Sequence, residues 1–263
     1  MEIRWLGWAG VEVEHDGATL VVDPLTDPAG TFAGFGDAGR DVELPPVERP
    51  AAGRALAGLV SHLHRDHTDA SALAAALADG AAVHHPVSTE ERNLAVAQAE
   101  YELGAAELQR RAVGTWESVT VGPFTCTALP AVDGLGDPQV SWLVEAGDRR
   151  VLHLGDTVFH GAWWQMARRA GPFDVLFAPI NGAVVDFPHQ QPPSLLPATM
   201  EPEQAALAGE LLGAATVVPM HYGGFAFEPH YRPIENARGR FERAARGRPY
   251  RAEPLAPGEA LPG

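Results

Sequence analysis

Ser61-His62-Leu63-His64-Arg65-Asp66-His67-Thr68 sets three histidines and an aspartate directly behind an apolar run at residues 55–60. The run reads as a short buried strand, and Thr68-Asp69-Ala70-Ser71 with the alanine- and leucine-rich segment behind it reads as a helix capped by Thr68. The motif therefore occupies the turn where a strand hands over to a helix. Histidines at i and i+2 can point from one side of such a turn, while Asp66 and His67 diverge toward a second point close by. Imidazole and carboxylate hold Zn, Mn or Fe, so the stretch reads as part of a metal site, for one ion or two. A polar loop with chance histidines is the plainer alternative, and the density of ligand types weighs against it.

The spacing His62-x-His64-x-Asp66-His67 resembles the H-x-H-x-D-H signature of the metallo-β-lactamase-fold hydrolases. Leu154-Gly155-Asp156-Thr157 is similar to that family's G-D-T segment, and Pro219-Met220-His221-Tyr222 to the segment carrying its last metal histidine. The likeness spans residues 2 to 222. Trp5-Leu6-Gly7, Val22-Asp23-Pro24 and His221-Tyr222-Gly223 look most like the branch holding the ascorbate-6-phosphate lactonase relatives. The resemblance implies an α/β fold, an αββα four-layer sandwich, with two divalent ions at one edge. It gives His62, His64 and a third residue to the first ion, Asp66, His67 and His221 to the second, and Asp156 to the bridge between them.

One position departs from that family. Where relatives carry a histidine that completes the first ion's ligands, the run Leu129-Pro130-Ala131-Val132 leads to Asp133. Asp133 is expected to ligate through oxygen, with Asp137 a weaker substitute. An added carboxylate raises the pKa of bound water and moves preference from zinc toward harder ions such as Mn or Fe. Trp8 stands where many relatives have histidine, which reads as a changed pocket wall or an ordinary core tryptophan.

Composition agrees with one enzyme-sized domain, residues 1–263, with a core at about 2–222 and a C-terminal helix and tail at about 223–263. Hydrophobic residues make up 46%, enough for a full core, and no linker divides the chain. The formal charge of −15 makes nucleic acid a poor partner. Cys126 stands alone, so no intrachain disulfide can form, and it reads as a small buried hydrophobe. No signal-peptide layout and no bilayer-length apolar run is present, so no membrane association and a cytoplasmic location are expected, with a homo-oligomer left open.

Along the chain, residues 2–5, 10–14 and 18–23 read as strands that open an antiparallel sheet, the last two joined at His15-Asp16-Gly17. Residues 24–50, rich in proline and glycine, read as one pocket wall. Helices are expected at 69–79, ended by Gly80, and at 87–95, with a strand at 81–85. His84 and His85 sit in that strand as neighbours facing opposite ways, which argues against both as ligands. Further strands fall within 109–129, at 140–146, 149–154, 174–179 and 216–219, and helices at 163–170, 201–213 and 234–246. The loop at 186–200 reads as a lid with His189 its polar contributor, Asn181 as a hydrogen-bonding residue at the metal edge, and the end from Pro254 as a frayed tail.

The functional expectation is a metal-dependent hydrolase in which a hydroxide held by the ions attacks an ester, lactone or similar small molecule. Asp66 is central to that chemistry, and His160 or Tyr222 would assist the oxyanion or leaving group. Two alternatives remain open: a phosphodiesterase or nuclease of the same fold, and a non-catalytic ligand-binding or sensor protein in which Asp133 marks a degenerate site.

Overall fold

The computed structural model describes residues 1–32, 43–88, 94–188 and 191–262. Strands β1 (Glu2–Gly7), β2 (Gly10–His15) and β3 (Ala18–Val22) form an antiparallel meander, and the turn between β2 and β3 uses Asp16 and Gly17 at positive φ. Strands β4 (Ala55–Leu59), β5 (Leu77–Pro86) and β6 (Gln109–Val113) then add in parallel, giving a sheet in the order β1-β2-β3-β4-β5-β6.

The second sheet starts as antiparallel hairpins, β7 (Ser118–Val121), β8 (Phe124–Pro130), β9 (Val140–Ala146) and β10 (Arg149–His153). It continues in parallel through β11 (Phe173–Pro179), β13 (Ala214–Met220) and β15 (Arg251–Ala252). A small ribbon of β12 (Val184–Val185) and β14 (Tyr231–Arg232) stands apart.

Consecutive strand residues point to opposite faces, and here both faces are covered. Val22, Trp142, Val144, Val175 and Phe177 pack into the core between the sheets. Their neighbours Leu143 and Leu176 face outward onto helices α4 (Trp163–Ala170), α5 (Pro202–Leu211) and α6 (Ala237–Ala245), against Trp163, Ala205 and Phe241. Val21 and Val83 face the other way, onto α2 (Ala70–Ala76) and α3 (Leu94–Ala105), against Leu73, Val96 and Leu103. Three buried clusters separated by two sheets make the expected four layers. Cys126 lies in the central core, where burial pushes its thiol up to about 12.

Several expectations need correction. Asp69, not Thr68, caps α2, accepting the Ala72 amide at 2.9 Å. That helix ends at Ala76 because β5 begins at Leu77, with Gly80 at positive φ inside a shift of register rather than at a helix end. The second helix of this half is Leu94–Ala105, later than residues 87–95. Its buried stripe Val96, Ala99 and Leu103 has helical spacing, and residues 89–93 lie outside the described part. The long segment after β3 includes a short helix α1 (Pro28–Phe32).

The C-terminal end is not frayed. The Trp5 amide donates to the Glu259 carbonyl, the Leu261 amide to that of Ile3, and Leu255 is buried in the central core. Two arginines of α6 and the turn after it pair with α5, Arg240 with Glu203 at 2.7 Å and Arg248 with Glu210 at 2.5 Å, while Arg238 pairs with Glu242 of its own helix at 2.9 Å. Among the described residues no helix is long and apolar enough to cross a membrane.

Docking of the C-terminal segment carries a measurable consequence. Leu255→Ala empties a core position and is expected to destabilise by about 2–4 kcal/mol. A urea titration should show a lower midpoint with an unchanged slope; an unmoved midpoint would mean the segment is loose after all.

Candidate metal centre

Six separate chain segments deliver polar side chains to one edge of the sandwich. Asp23 follows β3, Ser61 to His67 follow β4, Asp133 and Asp137 follow β8, Asp156 follows β10, and His221 follows β13. Trp8 comes from the β1–β2 turn. Gly155 precedes Asp156 with φ +63°, and a Cβ there would stand 2.8 Å from Ser61 Cβ, so only glycine lets these two turns meet.

Asp23 is fully buried and binds the motif from beneath. It accepts the Ser61 amide at 2.7 Å and the Ser61 hydroxyl at 2.5 Å, and its Oδ2 lies 2.8 Å from His67 Nδ1. His62 Nδ1 lies 3.0 Å from Ser61 Oγ, which leaves Nε2 facing out, 2.9 Å from His64 Nδ1. His64 Nε2 in turn lies 2.8 Å from Asp137 Oδ2. Each imidazole thus rests one nitrogen on a protein partner and offers the other, the arrangement that fixes metal-binding histidines.

Two clusters of donors result. His62, His64 and Asp133 bring one donor atom each within 4.8 Å of one another, and so do Asp66, His67, Asp156 and His221. Asp133 Oδ2 is held by the amides of Leu135 and Asp137 at 2.9 and 3.0 Å. In the second cluster His221 Nε2 lies 3.0 Å from Asp156 Oδ2 and 3.2 Å from Asp66 Oδ2, while His67 Nε2 lies 3.5 and 3.6 Å from the same two oxygens. Trp8 donates its indole N–H to Asp66 Oδ2 at 2.9 Å, lies tilted against the His221 ring with centroids 4.0 Å apart, and accepts the His221 amide on its carbonyl.

The donor set fits divalent cations. His67 Nε2 and Asp156 Oδ1 are buried without a hydrogen-bond partner, and a buried polar atom left so is costly unless something completes it. Burial alone would lower His67, yet the carboxylates of Asp156, Asp66 and Asp23 hold it well above the usual histidine range. Burial would likewise raise Asp156, but His221 and His67 hold it well below the carboxylate range. His62 is pushed well down by burial and by its histidine neighbours. Burial would lower His64 too, but the Asp137 hydrogen bond and the Asp133 and Asp66 carboxylates prevail and raise it to about 9.

A cavity of about 280 Å³ opens beside these donors, and His64, Asp66, Asp133, Asp156 and His221 form its floor. The structure does not bring His160 or Tyr222 to it. His160 stacks on Trp163 with ring centroids 4.2 Å apart, and burial pushes it down to about 4. Tyr222 stacks on Trp5 and packs between two core clusters, because the chain turns at His221, φ +55°, and sends adjacent side chains to different sides. His153 bonds the Ala9 carbonyl, His85 that of Pro86, and neither these nor His84 joins a donor cluster. His189 lies outside the described residues.

Sequence reasoning missed Tyr231, which lines the cavity from the small ribbon. Asn181, expected at this edge, lies behind it and donates to its hydroxyl. Only the density of aromatic residues around 225–231 could have signalled this wall. Asp137, expected as a weaker substitute for Asp133, lies against His64 Nε2 and in neither donor cluster.

Residues 18–222 match the family described as "Beta-lactamase superfamily domain". A UPF0173 metal-dependent hydrolase of Nitratidesulfovibrio vulgaris is 30% identical over 224 residues, covering 85% of this chain and 80% of that protein. Another from Rubrobacter xylanophilus is 29% identical over 268 residues, covering 98% and 95%. Among solved structures, Igni18, a metallo hydrolase of Ignicoccus hospitalis, superposes with a TM-score of 0.66 at 19% identity over 99% of this chain and 97% of its own.

The raised His64 fixes the sign of a pH effect. Raised to about 9, the His64 ring holds a second proton at neutral pH in the metal-free chain, and a cation must displace that second proton to bind. Metal uptake should therefore strengthen as pH rises from 6 toward about 9 and release protons, which calorimetry in buffers of differing ionisation enthalpy measures. Asp137→Asn should shrink the proton release and weaken binding about 10- to 100-fold.

Proposed function

The chain belongs to the beta-lactamase superfamily and, within it, to the UPF0173 metal-dependent hydrolases; on that premise we propose that it hydrolyses a small ester or lactone with two divalent ions. The observation that carries this reading is the pair of donor clusters on one cavity floor. His62, His64 and Asp133 would hold one ion, Asp66, His67 and His221 the other, and Asp156 would serve both. When bound, the ions supply Lewis acidity and lower the pKa of a coordinated water.

The chain's own residues do the rest. Asp23 and Asp137 hold the tautomers of His67 and His64 through Nδ1 and Nε2, so that the opposite nitrogens face the site. Trp8 steers one oxygen of Asp66 with a neutral donor. Three carboxylates among the ligands favour hard cations, Mn or Fe over Zn. The phosphodiesterase reading finds little support, because Arg65, the cation lining the cavity among the described residues, is paired with Glu102 at 3.3 Å.

Protein purified without chelators should carry about two Mn, Fe or Zn ions by elemental analysis. Asp133→Ala should lose metal from one site and Asp133→His should shift preference toward zinc. Turnover of simple esters and lactones should depend on added metal and fall about a hundredfold or more in Asp66→Asn. Near-zero metal in the wild type, restored by Asp133→His, would instead point to a non-catalytic binding protein.

A further inference from the structure

Above its floor of donors the cavity changes character. Phe32 of α1, Leu135 from the loop after β8, Val185 of β12, and Phe187 and Phe225 on either side make a largely apolar wall. Phe32 and Phe225 stack with centroids 4.1 Å apart, and Phe187 and Phe225 both lie against the Tyr231 ring. At about 280 Å³ the space suits a small molecule. Arg65 is turned to Glu102 and to the Thr31 carbonyl, which partly balance its charge.

Tyr231 gives this wall a polar tip. The Thr199 hydroxyl donates to Asn181 Oδ1, which fixes the amide, and Asn181 Nδ2 then donates to the Tyr231 oxygen at 2.5 Å. Asn181 is 1% and Tyr231 8% exposed, and the Gly182 amide further holds Thr199 Oγ1. A phenol oxygen that accepts in this way keeps its own O–H to give. Thr199 and Tyr231 both line the cavity, so the chain of donors runs in one direction and ends there.

We propose that this chamber binds the uncharged, apolar substituent of a carbonyl substrate, and that Tyr231 donates a hydrogen bond to the substrate's oxygen. Resting on the hydrolase reading, the inference narrows its substrate to neutral, lipophilic esters or lactones and sets aside phosphorylated ones. Tyr231 thereby takes the donor role expected of Tyr222 or His160.

The test separates binding from turnover. The metal-loaded full chain is titrated with methyl pentyl ketone, which cannot be hydrolysed, and with its ω-hydroxy analogue. The ketone should bind about tenfold tighter than the analogue, because the added hydroxyl would be buried among apolar side chains without a partner. Each methylene removed from the ketone should weaken binding roughly three- to fourfold. Tyr231→Phe should weaken it about fivefold with metal content unchanged, and lower the melting temperature by a few degrees because the buried Asn181 Nδ2 loses its acceptor. Leu135→Asn, on a loop, should narrow the gap between ketone and analogue.

Equal affinity for ketone and analogue, or ketone binding indifferent to Tyr231→Phe, overturns the proposal. Failure of the hydrolase reading looks different: ketone binding stays sensitive to both changes, while no ester or lactone is turned over.

Discussion

A single buried carboxylate holds the metal edge in place. Asp23 has no exposure and accepts from the Ser61 amide, the Ser61 hydroxyl and the His67 ring. Burying a charge this deeply is costly unless it is fully hydrogen-bonded, and here three donors from the turn after β4 meet it. Strand β3 is thereby tied to the turn that carries every histidine of the motif. Through Ser61 the tie reaches His62, and through His67 it reaches the Asp66 and Asp156 carboxylates. The left-handed backbone at Asp23, Trp8 and His221 belongs to the same requirement, since each must turn sharply out of a strand to aim inward.

The layers around this edge explain why it can bear such a density of charge. Two sheets buried on both faces give rigid strand ends, and six segments from different parts of the chain converge where those strands stop. Asp66 and Asp156 oppose one another across His67 and His221, so their mutual repulsion is balanced only by imidazolium or by cations. The C-terminal segment contributes from the far side. By pairing with β1 and burying Leu255 it closes an edge strand that would otherwise be open.

Much of this was legible in the sequence, for identifiable reasons. The hairpins announced themselves by Asp-Gly and Gly-Asp turns, and the metal motif by ligand types set at a strand end. What failed were boundaries decided by packing. Gly80 signals a helix stop in isolation, but pairing with β4 draws residues from Leu77 onward into a strand. The tail from Pro254 is rich in proline and glycine, and nothing local shows that Leu255 has a core position waiting. Tyr222 and Tyr231 carry the same side chain close to the same motif. Only the turn at His221 and the register of β12 with β14 decide which one faces the cavity.

Two departures at the site act together on charge. In the proposed ligand set Asp133 would be a third carboxylate, so two divalent ions would leave one residual positive charge where a histidine would leave two. Trp8 meets Asp66 with a neutral donor, steering that carboxylate without adding charge. A weaker residual charge attracts anions less, and the charge of Arg65 is partly balanced by Glu102 at 3.3 Å. The floor of the cavity therefore loses pull on phosphates and carboxylates just where its walls become apolar. Charge below and hydrophobicity above favour the same kind of molecule, an uncharged carbonyl compound, and the Thr199–Asn181–Tyr231 chain supplies the neutral donor that such a compound needs.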